Sequence, residues 1–87
     1  MKIGTVVLST AGRDAQHVFC VIAVPQEGQA ILADGRLRRV DKPKRKKCKH
    51  LARLGFSQEL FELVEQGAVT NRLLRRHLSL YQPAKTE

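Results

Sequence analysis

Ile3–Val24 reads IGTVVLSTAGRDAQHVFCVIAV. Two apolar, β-branched runs, Ile3–Ser9 and His17–Val24, flank a polar stretch, Thr10–Gln16, that contains Gly12 and Asp14. The pattern predicts two short strands joined by a loop, with Arg13 in the middle of the loop. The second run has almost no polar position, so part of it is expected to be buried on both faces.

Further along, Pro25–Gly28 closes the second strand with a turn, and Gln29–Ala33 reads as a third. Asp34-Gly35 then stands between strand-like runs and favours a type I′ hairpin, because both turn positions need φ > 0. In that hairpin, Ile31–Val40, Leu32 faces Leu37 and Ile31 faces Arg38. Leu37 and Val40 fall on opposite faces, which a bulge near Arg38-Arg39 would resolve. Asp41–Lys47 is expected to be extended or irregular, since Pro43 cannot donate to a central ladder. Cys48–Leu54 reads as a last strand or a single helical turn, the strand being preferred.

Beyond Gly55-Phe56 the period changes. Ser57 is placed to cap a helix, with Gln58 and Glu59 in its first turn. Leu60, Phe61, Val64 and Ala68 recur at helical spacing, and Glu59, Glu62 and Glu65 fall mostly outside. Gly67 weakens or ends that helix. Thr70 caps a second one, in which Leu73, Leu74, His77, Leu78 and Tyr81 share a face and Arg72, Arg75 and Arg76 lie opposite. Pro83 ends it, and Ala84–Glu87 reads as a frayed tail. The expected architecture is mainly β, with four to five short strands closing into a small barrel over residues 1–54. A C-terminal extension of two short helices follows over 57–82. Strands in direct succession exclude alternating βαβ units.

Eighty-seven residues make one small domain, and an apolar fraction of 43% argues against full disorder. The charge is the unusual feature. Gly35–Arg53 holds ten of the sixteen basic residues against one acid, Asp41. The chain's +8 less this stretch's +9 leaves about −1 on the other 68 residues. A block this dense gains free energy when a polyanion displaces its counterions, so nucleic acid is the first candidate partner and a solvated charged face the bland alternative. One Tyr, three Phe and no Trp leave too few platforms for stacking successive single-stranded bases.

Lys44, Arg45, Lys46, Lys47 and Lys49 are the expected phosphate contacts. Arg36, Arg38 and Arg39 suit bidentate or stacked contacts, because the guanidinium is planar. On a strand, Arg36 and Arg38 would point to one face and Arg39 to the other. Lys42, His50 and Arg53 complete the block. Arg13 either contacts RNA or pairs with Asp14. Arg72, Arg75 and Arg76 are read as neutralising Glu59, Glu62 and Glu65 in preference to forming a second RNA contact.

Cys20 and Cys48 are expected to be reduced thiols of a cytoplasmic protein, since Met1-Lys2 leads into a strand and not a signal peptide. No apolar run approaches the ~20 residues of a membrane span. His17, Cys20, Cys48 and His50 invite a zinc reading, but H-x2-C and C-x-H do not match the usual C-x2-C pairs. No metal or other cofactor is expected. Asp14, Asp34 and Asp41 occupy turns, where Asp is chosen for its backbone hydrogen bonds. No nucleophile–base order, phosphate loop or carboxylate pair stands out, so an enzyme is not expected.

GTVVLSTAGRD resembles the opening of a KOW motif. Gly4, Val6, Val7, Ser9, Gly12, Arg13, Asp14, Val21 and Val24 sit where such a motif has them. LADGRLRRVDKPKRKKCKHL is similar to the matching stretch of short bacterial KOW-domain proteins related to a large-subunit ribosomal protein of archaea and eukaryotes, the L-fourteen-e type. There, a strand ending in Asp-Gly leads to Arg-Leu-Arg, a Pro-containing lysine run and His-Leu. The resemblance spans residues 3–54 and, less specifically, the helical tail. It implies an SH3-like barrel, RNA binding, and association with the ribosome or its assembly. The motif usually places a lysine and a second glycine where this chain has Ala15-Gln16-His17, which shifts weight onto Arg13.

The expected function is therefore docking of a monomer on structured, ribosomal RNA by phosphate neutralisation and shape readout, with no membrane and no small-molecule substrate. The alternative is a KOW module that acts as a protein-interaction piece in transcription or translation, with the C-terminal helices as partner surface. A helix-turn-helix over Glu59–Tyr81 is disfavoured, because burial of Leu73, Leu74 and Leu78 would leave little reading surface.

Overall fold

Val6 and Val7 are neighbours on the first strand, and both are fully buried. Successive strand residues face opposite sides, so this sheet must be covered on both. In the computed structural model, which describes residues 1–81, two separate cores do this. The expectations for Pro83 and Ala84–Glu87 lie outside the described residues.

The strands are β1 (Thr5–Ser9), β2 (Val18–Ala23), β3 (Gln29–Ala33), β4 (Lys44–Lys47) and β5 (Leu51–Phe56). They form one antiparallel sheet in the order β4-β3-β2-β1-β5. The mainly β fold is as the sequence predicts. The two outer strands, β4 and β5, do not pair with each other, so the sheet is open and no ladder closes it into a barrel. It is nevertheless curled. Only a 3-10 turn, Cys48–His50, carries the chain from one edge to the other. Four Cα steps span at most about 14 Å, whereas the edges of a flat five-stranded sheet lie about 19 Å apart.

Val7, Phe19, Val21, Ala30 and Leu32 pack together on the face against which Cys48 and Leu51 close. Val6, Val18, Cys20 and Ala33 pack on the other face against Leu60, Leu74 and Leu78 of helices α1 (Gln58–Glu65) and α2 (Asn71–Leu78). β2 contributes to both cores, which is why its sequence is apolar throughout. The helices share a core with the sheet, so the strand and helix regions make one folding unit.

Both expected caps form: Ser57 Oγ accepts from the Leu60 amide and Thr70 Oγ1 from the Leu73 amide, each at 3.1 Å. α1 ends in a Schellman motif. The Gly67 amide, at φ 68°, donates to Val64 O, and the Ala68 amide donates to Leu63 O. Ala68 therefore lies past the helix and not on its face.

The hairpin Ile31–Val40 does not form. β3 pairs instead with β4, Ala30 opposite Lys46 and Leu32 opposite Lys44. Of the extended or irregular alternatives for Asp41–Lys47, the extended one is therefore realised over Lys44–Lys47, on an edge strand that starts after Pro43. Arg36–Val40 is a loop without a bulge, and Leu37 is 54% exposed instead of facing Leu32. Asp34 explains the loop: its Oδ1 accepts from the amides of both Arg36 (2.9 Å) and Arg38 (2.8 Å), which widens the connection beyond a two-residue turn. Asp14 explains the register, because pairing β3 with β4 brings two lysines to that buried carboxylate. The Cys48–Leu54 alternatives are both realised, a 3-10 turn followed by a strand.

Candidate nucleic-acid interface

The basic stretch divides into cations turned inward and cations turned out. On β4, Lys44 and Lys46 stand opposite Leu32 and Ala30 on the inner face, while Arg45 and Lys47 point away. The Lys46 ammonium hydrogen-bonds to Asp14 Oδ1 and, at 2.6 Å, to Ala11 O. Both side chains of the pair are only 8% exposed. Ser9, fully buried, donates to the same Asp14 oxygen at 2.9 Å. Asp14 Oδ2 accepts no hydrogen bond, and Lys44 Nζ lies 3.6 Å from it.

This cluster pins the β1–β2 loop to the edge strand. Burial alone would raise the Asp14 pKa, but the hydrogen bonds from Lys46 and Ser9 and the charges of Lys46 and Lys44 outweigh it and hold the carboxyl down at about 2. Lys46 is thus engaged within the protein and is removed from the expected phosphate contacts, and Lys44 is half-committed to Asp14. The expectation that Asp14 serves backbone hydrogen bonds in a turn is corrected likewise: its carboxylate anchors an ion pair. Asp14 faces inward, which leaves Arg13 exposed and without a carboxylate within 4.0 Å among the described residues.

Arg36, Arg38, Arg39, Lys42, Arg45, Lys47, Lys49 and Arg53 are all exposed. Of these, only Arg39 meets an acid among the described residues, Asp41 at 4.0 Å with both side chains well exposed. That pair contributes under ~1 kcal/mol. Arg36, Arg38 and Arg39 lie on a loop, so the two-faced arrangement expected of a strand does not apply. Arg45 donates to Gln29 Oε1 at 3.2 Å, which holds its guanidinium along the outer face of β3. His50 is half-buried, and its carbonyl accepts from the Thr10 amide at 2.9 Å.

The loop 34–40 is also held from the helices. Arg75 Nη1 donates to Gly35 O at 2.7 Å, and Asn71 Oδ1 accepts from the Val40 amide at 2.8 Å. Gly35 has φ 80°, and a Cβ there would stand 2.2 Å from Asn71 O. Arg75 thus serves the loop instead of a glutamate. None of Arg72, Arg75 and Arg76 lies within 4.0 Å of a carboxylate among the described residues. Arg76 and His77 do share a groove of about 440 Å³ with Glu59, Glu62 and Leu63, between α1 and α2.

Sequence reasoning missed Ser9, Asn71 and Arg75 as supports of this surface: Asn71 and Arg75 act on groups 31 and 40 residues away, and Ser9, five residues from Asp14, sits in a strand run that reads as apolar packing. Cys20 is fully buried in the core under the helices, where burial pushes its thiol up to about 12. Cys48 packs on the opposite face of the sheet, so the two sulfurs do not share a site. No helix among the described residues is long and apolar enough to cross a membrane. No protein-family model matches the chain, and no curated protein matches its sequence.

Proposed function

We propose that this protein docks on structured RNA, and that the RNA is ribosomal. One observation carries the reading: Arg36, Arg38, Lys42, Arg45, Lys47, Lys49 and Arg53 come from one stretch, are exposed, and have no carboxylate within 4.0 Å among the described residues. Unpaired like charges at that density repel one another within the fold, whereas a polyanion releases its counterions on meeting them. A-form RNA presents mainly phosphates and 2′-hydroxyls, which suit cations held on two edge strands and on the loop and 3-10 turn beside them. The ribosomal assignment rests on the resemblance of residues 3–54 to short KOW-domain proteins. Gln16 adds support, holding φ 74° in the stretch where that motif usually has its second glycine.

The test is binding of a structured RNA by fluorescence anisotropy over roughly 50 to 200 mM salt. Six neutralised phosphates give a log-log slope of about −4 to −5. A slope near zero refutes RNA docking. Crosslinking in cells followed by sequencing addresses the second part: reads concentrated in large-subunit ribosomal RNA support it, and diffuse reads refute it.

A further inference from the structure

The loop 34–40 is built differently from the rest of the basic surface. Asp34 Oδ1 ties down two of its amides, and Arg38 O accepts from the amides of Asp34 (2.9 Å) and Gly35 (3.1 Å). Its two ends are clamped to α2, Gly35 O by Arg75 and the Val40 amide by Asn71. The backbone of the apex is thus fastened, and its side chains point outward: Arg36, Leu37, Arg38 and Arg39 are all exposed, with only Arg39 near an acid, Asp41 at 4.0 Å, among the described residues. Phosphate neutralisation accounts for three of these. It does not account for Leu37, which is 54% exposed in the middle of them.

A lone exposed leucine is ordinary on a protein surface. Here it is held at the tip of a stiff loop and flanked by cations, so any polyanion that engages Arg36 and Arg38 is brought against it. A regular A-form duplex offers that side chain little apolar surface. An unstacked base at a bulge or internal loop does offer it, and such irregularities are where proteins discriminate among RNAs.

We propose that Arg36–Arg39 is a specificity tip. Leu37 packs on an unstacked base while Arg36 and Arg38 hold the flanking phosphates, and α2 is the mount that positions the tip through Asn71 and Arg75. The inference rests on the RNA-docking reading above and names the kind of RNA site that reading requires. Burying the exposed half of a leucine is worth roughly fivefold to tenfold in affinity.

The experiment uses the full chain and two RNA probes: a duplex of about 16 base pairs, and the same duplex with a bulge of about three nucleotides. Wild type should prefer the bulged probe by about fivefold to tenfold. Leu37→Ala should abolish the preference, leaving duplex affinity and salt slope unchanged, and Leu37→Met should retain most of it. Arg75→Gln should lower the preference in a chain whose thermal midpoint shows it folded. Equal affinity of wild type for the two probes overturns the inference, as does an equal loss on both with Leu37→Ala. If neither probe binds with a salt dependence, RNA docking itself fails and the tip with it.

Discussion

Lys46 and Lys47 are neighbours on one edge strand, and replacing each by methionine should have opposite consequences. Lys46→Met keeps most of the buried stem and removes the ammonium. Asp14 is then left 8% exposed with Ser9 as its remaining donor and Lys44 at 3.6 Å. Breaking a buried ion pair from one side costs about 3–5 kcal/mol, because the surviving charge stays desolvated. Lys44 can swing toward the vacated position, which puts the expected cost at the lower end, about 3 kcal/mol. A chain of this length has about 4–13 kcal/mol of stability in all, so roughly a quarter to three-quarters of the margin is at stake. With a urea m-value of about 1 kcal/mol per molar, the unfolding midpoint should fall by about 3 M with m unchanged.

The double replacement Asp14→Leu with Lys46→Met removes the stranded charge as well and should recover most of that loss. Lys47→Met, on an exposed side chain, should leave the midpoint within the range of about 0.5 kcal/mol usual for surface changes. The RNA titration should give the reverse ranking. Lys47→Met should lower the salt slope by about 0.7–0.9, one phosphate's worth, and the folded double variant lacking Lys46 should keep the wild-type slope. A Lys46→Met protein with an unchanged urea midpoint and a slope reduced by one unit would refute the division of the basic stretch into inward and outward cations.

Four further outcomes follow from the same geometry. The Asp14 carboxyl sits at about 2, below its ordinary 3.8, so its contribution is present above pH 3.8 and lost as pH falls through 2. That contribution is about 2 kcal/mol, and the acid limb of the stability–pH curve should flatten by that amount in Asp14→Asn, as read by urea melts between pH 2 and pH 5. Gly35→Ala combines φ 80° with a Cβ pressed on Asn71 O and should cost about 2 kcal/mol or more, with loss of amide-exchange protection at Val40. Thr70→Ala should cost about 1 kcal/mol by removing the α2 cap, and Thr70→Gly less. Alkylation followed by mass spectrometry should label half-buried Cys48 before fully buried Cys20, whose thiol at about 12 is protonated at neutral pH.

Where the signal was local, it was legible. β-branched runs bounded by turn residues marked β1, β2 and β3, and Ser57 and Thr70 marked the helix starts, because a cap is decided within four residues. β4 was hidden. Lys44–Lys47 has no strand propensity of its own, and its place depends on Ala30 and Leu32 across the ladder and on Asp14, 32 residues earlier. The Asp34-Gly35 hairpin signal was likewise overridden by contacts 31 and 40 residues away, Asn71 on Val40 and Arg75 on Gly35. The candidate site was readable as a composition but not as a surface. That Lys46 is buried while Lys47 is exposed follows from strand alternation, and alternation could not be applied before the segment was known to be a strand.

Lysine and arginine on an edge strand have a second use, since charge on an edge discourages pairing with another chain. That use cannot account for the charge seen here. Of the four cations on β4, Lys44 and Lys46 turn inward toward Asp14, so edge protection rests on Arg45 and Lys47 alone. The opposite edge, β5, carries a single cation, Arg53, and is interrupted by a bulge at Leu54. A bulge of that kind by itself twists an edge away from partners. If one cation and a bulge suffice on β5, two suffice on β4, and Arg36, Arg38, Lys42 and Lys49, which lie on the loop and the 3-10 turn and not on any strand, remain as a surplus with no work inside the fold. Self-repulsion among them lowers stability in a domain that has little to spare. Counterion release on meeting a polyanion, as in the RNA docking proposed above, would relieve that repulsion, and the clamps from Asp34, Asn71 and Arg75 fix the loop that carries Arg36 and Arg38.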